Sequence, residues 1–144
     1  MVKVTKLGLF LGEYRHNLTD KNRLALPKRV RIEIDDFEVI LAQGDDQCVV
    51  GYTKQKWEEM AKQPLSIPAY EAQGRMLRRR LFSTAVVVEM DIQGRLVLPE
   101  KLLNWARLGG LVGEELVIVG AGDHFEIWQS GLWQEYSQKL YSVT

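Results

Sequence analysis

Cysteine occurs once, at Cys48, so the chain can form no internal disulfide. Histidine is almost as scarce: His16 and His124 lie far apart in sequence, a zinc site would have to be mostly carboxylate, and no metal is expected. The longest uninterrupted apolar runs, such as Ala85-Val86-Val87-Val88, are far too short to span a bilayer. The N-terminus shows no long apolar stretch before a small-residue cleavage site, so a cytoplasmic protein without membrane contact is expected. No glycine-rich phosphate loop and no Ser, His and Asp arrangement stands out. The adjacent acids Asp35-Asp36 and Asp45-Asp46 read as solvated turns, His16 and His124 as structural or surface groups, and Cys48 as a strand residue and not a nucleophile. Neither catalysis, nor a cofactor, nor a small-molecule substrate is expected.

What is present is the composition of a folded globular protein: 144 residues, 46% hydrophobic and 26% charged, enough for one domain or two small halves. The net charge of zero hides a division. Residues 1–80 hold 15 Lys+Arg against 11 Asp+Glu, a balance of +4, and residues 81–144 hold 4 against 8, a balance of −4.

The two halves also repeat one another. Arg23-Leu24-Ala25-Leu26-Pro27 and Arg95-Leu96-Val97-Leu98-Pro99 stand 72 residues apart, and the same offset pairs Phe10 with Phe82, Leu18 with Met90 and Asn22 with Gly94. Beyond small insertions, Gly44-Asp45 matches Gly122-Asp123, Val49 matches Ile127 and Trp57 matches Trp133. Two copies are too few for a solenoid and point to a pseudo-symmetric pair.

Apolar, β-branched runs predict short strands at 7–11, 39–41, 48–52, 85–90, 116–119 and 125–128. Pro27 and Pro99 each open a segment, 27–34 and 99–106, suited to proline in a first helical turn. Thr53 and Ser130 are predicted N-caps for helices at 54–63 and 131–141, and a longer helix at about 69–82 joins the copies. Trp57 and Met60, and Trp133 and Tyr136, sit three apart on one face of their helices, which places the tryptophans in the core.

In the second copy, Asp91-Ile92-Gln93-Gly94-Arg95-Leu96-Val97-Leu98-Pro99 puts Gly94 where a tight turn needs positive φ and Arg95 where the chain leaves it. The first copy reads Thr19-Asp20-Lys21-Asn22-Arg23-Leu24-Ala25-Leu26-Pro27, in which Asn22 replaces Gly and Thr19 replaces Asp. Asn tolerates the left-handed region well enough to keep the turn, and Asp20 next door is the predicted acceptor in place of the missing Asp.

This doubled D-x-x-G-R-x-x-L-P pattern, with Phe10-Leu11-Gly12-Glu13-Tyr14 ahead of it, an Arg-rich run before Leu81-Phe82, and His124-Phe125-Glu126-Ile127-Trp128 near the end, resembles the bacterial MraZ family, related to AbrB-type swapped-hairpin transcription factors. The resemblance implies a mainly β fold with α-helices (α+β): a double-split β-barrel of two interlocked swapped-hairpin repeats, each with attached helices. Residues 1–144 would form a single pseudo-symmetric domain, with repeat 1 at about 7–63, a linker helix at about 64–82 and repeat 2 at about 83–141. It further implies a nucleoid-associated, sequence-specific regulator that assembles as a homo-oligomeric ring. The partner would be double-stranded DNA, at G-rich direct repeats upstream of the division and cell-wall gene cluster.

The residues expected to contact DNA are Arg23, Lys21, Lys28, Arg29, Arg31 and Arg15, while Asn22, Gly94, Asp91 and Arg95 are expected to build the turns. Residues 19–31 carry five positive charges against one negative, whereas 91–103 sum to zero, which favours copy one as the reading copy. An arginine at a hairpin tip can place its fork on guanine O6 and N7 while flanking cations neutralise phosphates. The alternative for this cluster is a solvated surface with Arg23 bracing the turn. Arg75, Arg78, Arg79 and Arg80 cannot share one helix face; phosphates, acids of a neighbouring subunit and bulk solvent are the candidate partners. A different class of function, an antidote-like, ring-forming interaction module, shares the fold family. Its members carry one motif copy and a disordered tail, and this chain has two copies.

Overall fold

The computed structural model describes residues 5–109 and 113–142. Repeat 1 runs β1 (Glu13–Asn17), a 3-10 turn (Asp20–Asn22), β2 (Arg23–Ala25), α1 (Lys28–Arg31), β3 (Glu38–Gln43), β4 (Val49–Tyr52) and α2 (Lys54–Ser66). After α3 (Ala72–Phe82) come β5 (Val86–Glu89), β6 (Arg95–Val97), α4 (Glu100–Trp105), β7 (Glu115–Gly120), β8 (Phe125–Gln129) and α5 (Ser130–Ser142). The fold is α+β and mainly strands.

Among the described residues, eight strands form a six-stranded sheet in the order β1-β7-β8-β4-β3-β5 and a two-stranded sheet of β2 and β6. Exchanging the repeats turns the first order into its own reverse, so the topology carries a pseudo-two-fold axis. The repeats are interlocked: β1 of the first pairs with β7 of the second, and β5 of the second pairs with β3 of the first. At the two places where the axis crosses a ladder, the facing residues are sequence equivalents, Leu24 opposite Leu96 and Val49 opposite Ile127. Reciprocal bonds lock the exchange, from the Leu26 N–H to the Gly94 carbonyl at 3.0 Å and from the Leu98 N–H to the Asn22 carbonyl at 2.9 Å.

The period of two explains the core. Leu116 and Ile118 of β7, Phe125 and Ile127 of β8, Val39 and Leu41 of β3 and Val49 of β4 face a cluster closed from the other side by Leu24, Leu96 and the Leu102-Leu103 pair of α4. The alternate residues Val117 and Trp128 face outward, where Trp133 and Tyr136 of α5 cover them. With both faces covered, the central strands read as nearly continuous apolar runs. Gly51 in β4 lacks a side chain because the Phe125 ring occupies that space. Trp57 is half-buried against Tyr52 and Phe82, at 5.5 and 6.0 Å between ring centroids.

Several predicted elements need correction. Residues 7–11 are not a strand: the buried Glu33 carboxylate accepts the N–H groups of Leu7 and Gly8 at 2.8 and 2.6 Å, and only Phe10 bridges to Gly122. The ladder with β7 starts at Glu13. Helix α2 runs past residue 63 through Pro64, whose position in the last turn forgoes a single helical bond. Helix α3 starts at 72, not 69, because the Glu71 N–H closes a turn onto the Pro68 carbonyl at 3.1 Å. Thr53 caps α2 as predicted, accepting from the Lys56 N–H. Ser130 does not cap α5: its hydroxyl donates to Glu115, and the Gln129 side chain accepts the Leu132 N–H instead.

Candidate nucleic-acid interface

Leu24 and Leu96 turn inward from the two-stranded sheet, so Arg23, Ala25, Arg95 and Val97 share its outward face. Each arginine follows a turn of the same build. In copy one the Thr19 N–H bonds the Arg23 carbonyl, and in copy two the Asp91 N–H bonds the Arg95 carbonyl, both at 2.9 Å. The substitution between the copies then decides the fate of the two guanidinium groups. Asp91 accepts from the Arg95 backbone N–H at 2.9 Å and from its Nε at 2.8 Å. Thr19 has no carboxylate; its hydroxyl donates to the Arg23 carbonyl at 3.0 Å. Among the described residues the Arg23 side chain forms no hydrogen bond or ion pair. The predicted substitute acceptor, Asp20, makes no side-chain hydrogen bond in this turn, because the Thr19 hydroxyl already closes it.

The arrangement is a turn whose tip carries Lys21 and Asn22, an outward arginine without a partner behind it, and Lys28 exposed on the helix that follows. Chemically this is a guanidinium fork with an ammonium group in the turn before it, suited to a planar acceptor pair with a phosphate alongside, while Lys28 lies beside the copy-two turn.

The family described as "MraZ protein, putative antitoxin-like" matches residues 9–80 and again 81–143. The chain belongs to the MraZ family. A relative from Roseiflexus sp. (strain RS-1), named Transcriptional regulator MraZ, is 40% identical over 88% of this chain and 85% of its own length. A protein of the same name from Moorella thermoacetica is 38% identical over 91% of this chain and 88% of its own.

In this MraZ-family chain, three of the six arginines and lysines expected at DNA have intramolecular work. Arg29 donates to the Thr5 carbonyl at 2.7 Å and to Glu33 at 3.1 Å, pairing with a carboxylate that is 2% exposed. Removing it would strand a buried charge, so its place is in the fold. Arg31 lies across Gly94, where any Cβ would strike its side chain, with Nη1 3.5 Å from the Gln93 carbonyl. Arg15, on β1, is bound to Glu115 and to Ser130 at 3.0 and 3.1 Å. The Ser130 hydroxyl and the Arg15 guanidinium together hold Glu115 below the usual carboxylate range. The proximity of Arg29 and Arg31 in sequence to the turn suggested one basic surface; the short helix α1 instead directs both toward protein groups.

The Arg-rich run is likewise mostly bonded within the chain, although Arg75 and Arg80 remain exposed. Arg75 donates to the Ala69 carbonyl, Arg78 to the Leu65 and Ile67 carbonyls, and Arg80 to Asp45 at 2.9 Å, while Arg79 is exposed. These bonds tie α3 to the end of α2 and to the β3–β4 turn. Sequence reading missed those of Arg75 and Arg78 because backbone carbonyls as partners leave no trace in residue identity.

Lys21 and Asn22 have φ of 59° and 57°, and Gly94 has 79°. Asn22→Gly should therefore be neutral or mildly stabilising, and Asn22→Val should cost about 1 kcal/mol or more, since a β-branched side chain tolerates the left-handed region poorly. Thermal melts check this, and equal melting temperatures for the two variants would refute the requirement.

Asp91 is held below the usual aspartate range, first by the Arg95 backbone N–H and then by its guanidinium. A carboxyl whose folded value is depressed contributes stability that is fully present above its unfolded value and is lost as pH falls toward the folded one. Asp91→Asn should thus flatten the acid limb of stability below about pH 4, measured as the urea midpoint at successive pH values. An unchanged acid limb would remove this pair from the account of acid sensitivity.

Proposed function

We propose that this chain is a sequence-specific, double-stranded-DNA-binding transcriptional regulator that docks through the turn and helix start of repeat 1. The observation that carries the reading is Arg23, on an outward strand face with Lys21 in the turn before it and without a side-chain partner among the described residues, while Arg95 on the same face is already held by Asp91. The names of the relatives, transcriptional regulators at 36–41% identity, support it. The finer reading is that G-rich direct repeats upstream of a division and cell-wall gene cluster are the sites, because Arg23 suits guanine O6 and N7. No catalysis enters this reading. Its location is the cytoplasm, at the nucleoid; among the described residues no helix is long and apolar enough to cross a membrane.

The reading includes a homo-oligomer. Ile92, 96% exposed, and Phe37, 55% exposed, line an apolar hollow of about 390 Å³ beside the copy-two turn, which supports self-association through that face. The opposite charge balances of the two halves would favour register between neighbours. Light scattering at micromolar concentration should give a mass above the monomer's 16.5 kDa; a strictly monomeric mass overturns this part.

Binding to DNA upstream of the chain's own gene, measured at two salt concentrations against scrambled DNA, tests the main reading. A preference for the upstream DNA that survives the higher salt is expected, with total affinity falling as salt rises. Equal affinity for both DNAs leaves only electrostatic attraction and overturns sequence-specific regulation.

A further inference from the structure

On the outer face of the six-stranded sheet, beneath α2 and α3, lies a cavity of about 400 Å³. That is the size of a site enclosing a small organic molecule. Its walls are apolar and aromatic, from Val50 and Tyr52 of β4, Trp57 and Met60 of α2, and Leu77 and Leu81 of α3. Charged groups gather at one end: Asp45, Asp46 and Glu126, with Arg80 and His124 among them.

Both cations are already engaged. Arg80 pairs with Asp45 at 2.9 Å. His124 stacks on Tyr52 with ring centroids 5.1 Å apart and lies between Asp123 at 2.7 Å and Glu126 at 3.1 Å. Burial opposes its protonation, but the hydrogen bonds to Glu126 and Asp123 prevail and raise its pKa. Asp46 forms no side-chain hydrogen bond or ion pair among the described residues.

The Tyr52 hydroxyl is the second observation. Tyr52 is 9% exposed and lines the cavity, yet its hydroxyl has no hydrogen-bond partner among the described residues. The hydroxyl is not sealed from solvent, so it stays open to a group entering the cavity. The surroundings of this group are electronegative: burial first, then Asp123, Glu126 and Asp45, push the phenol up to about 12. The Cys48 thiol, on the same wall, is pushed up by burial and then by Glu126, Asp46 and Asp45.

We propose that this cavity is a binding site for a small organic cation, an amine on a short aromatic or aliphatic body. Its body stacks between Trp57 and the leucines of α3. Its ammonium donates to the Tyr52 oxygen and faces Asp46, with the aromatic rings adding cation–π attraction. The site lies on the face of the six-stranded sheet away from the two-stranded sheet and its turns, and the inference does not depend on DNA binding.

The test is a titration of the full chain with phenethylamine, read from backbone amide chemical shifts. Saturable shifts confined to the cavity, at residues such as Gly44, Cys48 and Leu77, are expected, with neutral phenethyl alcohol about tenfold weaker and phenylacetate silent. Asp46→Asn changes an exposed side chain and should weaken the amine severalfold while leaving the alcohol unchanged. Tyr52→Phe keeps the stacking surface, removes the hydroxyl and should weaken the amine. Leu77→Trp fills the space and should abolish the shifts while the rest of the spectrum stays native. Equal binding of amine and alcohol, undiminished amine binding in Asp46→Asn, shifts located elsewhere, or no saturable shifts would each overturn the proposal.

Discussion

Arg23→Ala is expected to abolish the preference for the specific DNA site, at a loss of about 1–3 kcal/mol of discrimination, while leaving the fold intact. Arg95→Ala is expected to leave the preference largely in place. The two arginines share the outward face of one small sheet, yet Arg95 is bound to Asp91 through its Nε at 2.8 Å, and Thr19 offers Arg23 no carboxylate. The pair through Nε tethers the Arg95 guanidinium in one direction, whereas Arg23 carries no such tether among the described residues and is free to turn toward a base. Lys28→Ala is expected to weaken all sequences alike and to lower the salt slope by about one unit. Arg29→Ala differs from it, acting through stability, because its partner Glu33 is buried. Fluorescence anisotropy with specific and scrambled duplexes separates these outcomes. If Arg95→Ala removes the preference in a folded protein while Arg23→Ala keeps it, the roles assigned to the two copies are reversed.

Leu24→Ala and Leu96→Ala should each destabilise the protein by about 2–5 kcal/mol, the cost of a cavity at a fully enclosed site. Both side chains are at 0% exposure and face one another where the pseudo-two-fold axis crosses the small sheet. The two losses should therefore be similar, and the double variant should lose less than their sum, because the second truncation enlarges a cavity already made. Urea midpoints at unchanged slope measure this. A loss below about 1 kcal/mol for either residue would mean that the swapped sheet is not part of the cooperative core.

The repeat was legible because identical demands fell on equivalent positions. The outward arginine, the inward leucine and the proline that opens a helix recur at a fixed offset, and the two ladders at the axis pair Leu24 with Leu96 and Val49 with Ile127. The central strands were legible for a related reason: burial on both faces leaves an apolar run that no loop would carry. The segment at 7–11 misled because its leucines have the same composition as a strand. Its actual partner, the Glu33 carboxylate, lies some 25 residues away in sequence and is named by no local pattern.

The site divides along the same line. Sequence by itself determined the family, the doubled motif, the left-handed turn position at Asn22 and the excess of positive charge in copy one. It could not separate the cations within that excess, because charge counts carry no direction. Tertiary structure decided that Arg15 faces Glu115 across a strand pair, that Arg29 serves Glu33, that Arg31 lies over Gly94, and that Lys21, Arg23 and Lys28 remain without such partners among the described residues. The physical reason is the exchange of strands between repeats. It sets residues of one copy against those of the other, so the partners of Arg15 and Arg31 depend on a pairing that exists only once both halves have folded together, while Arg29 meets Glu33 four residues along its own chain.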